Sequence, residues 1–161
     1  MLREDYPTLQ LRVDEDFDGS RGYGFLDYVI LLGFLAILVT EAKTEDIQKG
    51  VTQNLVQLHT AAEKLGKRKR EEKPNINVYG IVTTGLSWRF VRWSGFEENL
   101  SIEISEVISC EYGNDMKQAK EVLSIISGIL QSQANFYNER RVRARSDGRE
   151  DDLQLRTSTR A

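Results

Sequence analysis

Asp27, Glu41 and Lys43 are the residues whose types and spacing suit chemistry in this 161-residue chain. Glu41 and Lys43 flank Ala42, so in a strand they project from one side while Ala42 projects from the other. The segment before them, "FLAILV" (34–39), is apolar at every position. A carboxylate and an ammonium at the end of a buried strand are costly to desolvate without a partner. Asp27 precedes Glu41 with thirteen residues between them, a spacing that suits the two arms of a hairpin. Two carboxylates converging on one face make a site for a hard divalent cation, Mg²⁺ or Mn²⁺. Asp27, Glu41 and the Ala42 carbonyl would be its protein ligands, with waters completing the shell. Lys43 would orient or help deprotonate an attacking water, or stabilise charge building on a phosphate. That assembly suits hydrolysis of a phosphodiester. The plain alternative is a surface ion pair at a strand end, worth little to stability.

The elements that must position these residues read as follows. "YPTLQLRVDEDF" is a strand in which Leu9, Leu11 and Val13 alternate with polar residues, and "DGSRGYG" (18–24) is a turn. The apolar run 28–39 is only about half the ~20 residues a membrane helix needs. It is broken by Gly33, bounded by Asp27 and Glu41, and rich in β-branched and aromatic residues, so it reads as a β-hairpin over 25–42. A helix follows over 45–65. Its apolar residues Ile47, Val51, Leu55, Leu58, Ala62 and Leu65 recur with helical period, and Thr44 or Asp46 serves as cap. A charged loop (66–75) stops at Pro74. A second hairpin (76–85 and 87–95) turns near Gly85 and Leu86. Residues 101–112 are a strand or a loop. A second helix over 115–137 has Ala119, Val122, Ile126 and Ile129 or Leu130 on its apolar side. From Asn138 onward seven arginines and five acids leave little to bury, which predicts a disordered tail over 138–161 behind one domain of 1–137. Strand, hairpin, helix, hairpin, helix is the order of an α/β fold, a sheet with helices packed against it. A purely antiparallel α+β sheet is the alternative.

The stretch "LDYVILLGFLAILVTEAK" (26–43) resembles the core of the PD-(D/E)XK nuclease superfamily, which includes restriction endonucleases and RecB-like exonuclease domains. "KGVTQNLVQL" (49–58) is similar to the G-x-x-Q helix of several of its branches. The resemblance covers residues 9–95 and implies a restriction-endonuclease-like core: a mixed β-sheet flanked by helices. It implies Mg²⁺ on Asp27 and Glu41, a catalytic Lys43, and support from Gln53 and Gln57. Taken alone, the helical wheel sets both glutamines far from the centre of the Val51–Leu55–Leu58 stripe, with Gly50 and Asn54 nearer its edge. The usual first helix has no room before the first strand, since "MLREDYP" offers Glu4 and Asp5 but no helix, and Leu26 rather than proline precedes Asp27, which many members tolerate. Some proteins of this general type occur in the crinkler-like effectors of filamentous microbes.

Other features bound the reading. A formal net charge of −3 leaves nucleic-acid binding to local basic patches. "KLGKRKR" (64–70) is one, with Lys67, Arg68, Lys69 and Arg70 as phosphate-contacting residues, and "RRVRAR" (140–145) is another. "KRKR" is equally a nuclear localisation patch or a solvated loop. Nucleic acid is the expected partner, DNA before RNA, and a homodimer is the expected assembly if the chain cuts duplexes. The single cysteine, Cys110, excludes an intramolecular disulfide, and the single histidine, His59, excludes a histidine metal triad. "DEDFD" (14–18) lacks the glycine and closing glutamate of a calcium loop, and "GSRGYG" lacks the ending of a phosphate-binding loop. Along 88–93 the tryptophans and Phe90 are expected on a core face with Arg89 and Arg92 outside. The start of the chain shows no secretory signal, so an intracellular location, cytoplasmic or nuclear, is expected.

Overall fold

The structure is a computed structural model that describes residues 9–20, 22–32, 35–42, 46–66, 77–95, 99–110 and 117–146. Strands β1 (Leu9–Gly19), β2 (Gly22–Leu32) and β3 (Leu35–Ala42) come first, followed by helix α1 (Ile47–Gly66). Strands β4 (Asn77–Thr83), β5 (Ser87–Ser94), β6 (Ser101–Ile104) and β7 (Ile108–Ser109) lead to helix α2 (Lys117–Ser146). All seven strands belong to one sheet in the order β1-β2-β3-β4-β5-β6, with β7 also paired to β5. The β3–β4 pair is parallel and the others are antiparallel. The sheet is therefore mixed, and α1 supplies the crossover that a parallel join requires.

The two helices pack on opposite faces. Against α1 lie Leu26, Val29, Val78, Val91 and Trp93, meeting Leu58, Ala61 and Ala62 of the helix. Against α2 lie Ile81 and Phe90, with Ile30, Tyr79 and Trp88 at their margin, meeting Val122 and Ile129. Period-two alternation explains the division: on β4, Val78 faces α1 while Tyr79 and Ile81 face α2. Strand β2 breaks that alternation once. Leu26 and Val29, three apart, share the α1 cluster, and opposite this stretch Asp14 of β1 holds a φ of 50°. Aspartate is among the few residues that tolerate that conformation. The turn after β1 is tied to the second half of α1, where the Ser20 hydroxyl and amide donate to the Glu63 carboxylate at 2.7 and 3.2 Å.

Both helices and both expected hairpins fall close to where the sequence places them, and the parallel join excludes the purely antiparallel alternative. Most of the turn expected over 18–24 is instead strand, with Asp18 paired to Tyr23 and Gly19 to Gly22. Asp46 caps α1, its Oδ1 accepting the Lys49 amide at 3.0 Å, while Thr44 lies outside the described residues. At β4–β5 the turn uses Gly85 with a φ of 86°, a conformation glycine adopts without strain. Two further details depart from expectation. Helix α2 continues to Ser146, nine residues past position 137, because arginine and glutamate are good helix formers and no glycine or proline intervenes. On β5, Trp88 and Phe90 belong to the α2 side, whereas Trp93 belongs to the α1 side and Arg89 contacts α1. Aromatics and arginines therefore do not separate by face. The expected absence of a first helix falls on residues 1–8, and most of the tail on 147–161, both outside the described residues.

Candidate functional site

Strand register brings the two carboxylate positions together. Tyr28 pairs with Thr40 across β2 and β3, so Asp27 and Glu41 are the next residue on each strand. Glu41 pairs in turn with Val82 of β4, and Val82 with Arg89 of β5. Asp27, Glu41, Val82 and Arg89 thus occupy successive positions across four adjacent strands. On the far side of β2, Asp14 is the β1 residue opposite Asp27, between the pairs Val13–Tyr28 and Glu15–Leu26. The row lies at the end of the sheet where β3 leaves for α1.

Asp27 is half-buried and makes an interaction within the fold. Val82 is fully buried and gives the row an apolar floor. Arg89 is half-buried, and its Nη1 donates to Oε1 of Gln48, in the first turn of α1, at 3.3 Å. Its Nε is buried and meets no acceptor among the described residues. Lys43 lies outside the described residues, as do Lys67, Arg68, Lys69 and Arg70.

The two glutamines take different places on α1. The buried face of the helix is turned from the purely apolar stripe toward Gly50 and Asn54, both of which are buried. Asn54 is wholly inaccessible and lies against Gly80, where an added Cβ would overlap its Oδ1. That rotation makes Gln57 half-buried, its Oε1 accepting from Asn54 Nδ2 at 3.3 Å, and leaves Gln53 exposed. Gln48 is the α1 residue seen to reach the row, through Arg89. His59 packs edge-on to Trp93, with ring centroids 5.5 Å apart, farther along the helix.

Gln48, Arg89 and Asp14 were not among the expected site residues. No local signal marks them, because each reaches the row through strand pairing or helix placement. Among the described residues no group of three or more His, Cys, Asp or Glu side chains is placed to hold a metal ion. The register instead offers a two-carboxylate arrangement, which fits Mg²⁺, an ion commonly held by one or two carboxylates with waters and substrate phosphates.

No family model matches the chain. No solved structure matches it. The fold and row define a mixed α/β domain with paired carboxylate positions at a strand end. This chain is similar to Crinkler effector protein 1 of Rhizophagus irregularis, with 33% identity over 132 residues, covering 76% of this chain and 28% of that protein. The chain thus spans little more than a quarter of that relative's length. Among the described residues no helix is long and apolar enough to cross a membrane.

Proposed function

We propose that this chain is a Mg²⁺-dependent nuclease of the PD-(D/E)XK type, hydrolysing phosphodiester bonds of DNA or RNA. One observation carries the reading: Asp27 and Glu41 hold adjacent register positions on β2 and β3, at the end of β3 that leads into the crossover helix. The mixed sheet with a helix on each face supports a restriction-endonuclease-like core.

Asp27 and Glu41, with the Ala42 carbonyl, are the residues that would hold Mg²⁺ or Mn²⁺. The ion, when bound, supplies Lewis-acid polarisation of the phosphate and a more acidic water. Lys43, two positions beyond Glu41, orients the attacking water or receives its proton, and steadies charge on the phosphate. The water oxygen bonds to phosphorus, the bond from phosphorus to the leaving sugar oxygen breaks, and that oxygen takes up a proton. Gln53 and Gln57 are the further residues assigned to the site by resemblance. Lys67, Arg68, Lys69 and Arg70 would hold the substrate backbone, adding affinity that falls with salt. DNA is placed before RNA as substrate, a homodimer is the assembly proposed, and the location is intracellular, in cytoplasm or nucleus.

The similarity to a protein named as an effector favours a second reading: a nuclease-fold module that binds nucleic acid or a protein partner without cleaving. Incubation of labelled single- and double-stranded DNA and RNA with Mg²⁺, beside Lys43→Ala, Glu41→Gln and an EDTA control, separates the two. Cleavage by the wild type alone supports the nuclease. Wild type and variants that bind alike and never cut support the module.

A further inference from the structure

We infer that Arg89 is a phosphate-binding residue of the proposed site, and this rests on the nuclease reading given above. Arg89 stands two strands from Glu41 through Val82. At about 4.8 Å per strand spacing, their backbones are roughly 10 Å apart. An extended arginine covers most of that distance, and an anion seated beside the carboxylate positions fills the rest.

The side chain is already aimed and partly committed. Gln48 at the start of α1 accepts from Nη1 at 3.3 Å, which sets the guanidinium beside the first turn of α1. Of its five donors, Nε is buried and meets no acceptor among the described residues. A buried donor left unmet is unfavourable, and a planar fork of charged donors is best met by a phosphate or a carboxylate. Val82, wholly buried between Arg89 and Glu41, contributes no polar atom of its own to the gap. The carboxylate positions on β2 and β3 and Arg89 on β5 divide the work. The carboxylates take the cation, and Arg89 takes phosphate oxygens of the chain being cut.

A purely structural arginine would hold β5 to α1 and nothing more, so the test reads ligand binding. Affinity for a short labelled DNA duplex is measured across a salt series with Ca²⁺ in place of Mg²⁺, for wild type, Arg89→Ala and Arg89→Lys. Circular dichroism melts check folding, and cleavage with Mg²⁺ is followed in parallel. Arg89→Ala is expected to weaken binding at least about tenfold, with the salt slope falling by about one phosphate contact. Arg89→Lys keeps the slope but binds several-fold more weakly, because a point charge replaces the fork. Should the alanine variant fail to fold, the lysine variant decides alone. A folded Arg89→Ala, or in its absence Arg89→Lys, with wild-type affinity and slope overturns the inference, as does a wild type that binds no duplex. Loss of binding in Arg89→Ala beside a wild type that never cleaves would sink the nuclease reading and leave the phosphate contact standing. Cleavage by the wild type with unchanged binding in Arg89→Ala does the reverse.

Discussion

The side chain of Asn54 fills the space that a Cβ on Gly80 would need, so α1 seats on β4 through the contact of one amide with one bare backbone position. Gly80 lies in the middle of the sheet, paired with Val39 on one side and Val91 on the other. The helix can therefore approach more closely there than over any larger residue, and Asn54 in turn donates to Gln57. This contact adds to the apolar packing of Leu58, Ala61 and Ala62 that seats α1 on the sheet.

Gly80→Ala is accordingly expected to destabilise the protein by about 1–3 kcal/mol, the usual range for overpacking a filled interior. Adding Asn54→Ala removes the clash, so the double variant should be less destabilised than the two single losses summed. Urea unfolding of the four proteins measures the coupling, expected at about 0.5–3 kcal/mol for residues in contact. Simple additivity would refute the contact's role.

Asp14 gives a test of local backbone strain. Its φ of 50° suits glycine at no steric cost and suits a β-branched residue badly. Asp14→Gly should be neutral or stabilising by up to about 1 kcal/mol, and Asp14→Val should cost about 1–3 kcal/mol. Thermal melts of both variants check the order, and a Val variant as stable as the wild type would contradict it.

Burial sets the scale for the core. Leu58 is fully buried beneath the sheet, whereas Leu123 on α2 is 65% exposed. Leu58→Ala should cost about 2–5 kcal/mol and Leu123→Ala no more than about 0.5 kcal/mol. Equal losses in denaturant titrations would mean that the α1 face is not the main core.

The Arg92–Glu103 ion pair joins β5 to β6, yet its side chains are 44% and 57% exposed. Solvent and salt screen such a pair, so a double-mutant cycle is expected to give less than about 1 kcal/mol, shrinking further at high salt.

Cation binding by Asp27 and Glu41 would appear as stabilisation before any catalysis is assayed. Mg²⁺ in large excess should raise the melting temperature of the wild type by about 5 °C or more. Glu41→Gln should abolish that rise. It should also leave the metal-free protein no less stable, since one of two neighbouring like charges is gone. A rise that survives Glu41→Gln would place the ion elsewhere.

Much of the architecture is legible in the sequence because it is written locally. Alternation marks β1, a long apolar run marks the β2–β3 hairpin, and Asp46 marks the start of α1. The adjacency of Asp27 and Glu41 is only partly legible. The turn pairs Leu32 with Leu35 and Leu31 with Ala36, and the irregularity between Ile30 and Leu31, which shifts the register by one residue, is what sets position 27 opposite 41. What escapes is what depends on several elements at once. The face that α1 buries is centred near Asn54, a polar residue that apolar periodicity passes over, and only Gly80 on a distant strand explains it. Arg89 escapes for the same reason, because its place beside Val82 and Glu41 follows from the parallel join and not from any motif around it. Residue type misleads on the faces of β5: Trp88 and Trp93 are five apart, an odd number, so an extended strand sends them to opposite sides.

The parallel join between β3 and β4 also fixes an order of events in the making of the molecule. By the end of α1 a growing chain has released both carboxylates and Gln48, yet Val82 and Arg89 are still to come. The antiparallel hairpins close from local contacts, while the row across the sheet must wait for a return over the whole crossover. The acidic half of the row thus exists on the ribosome before its basic half, and the two become one surface only when β4 slots in beside β3.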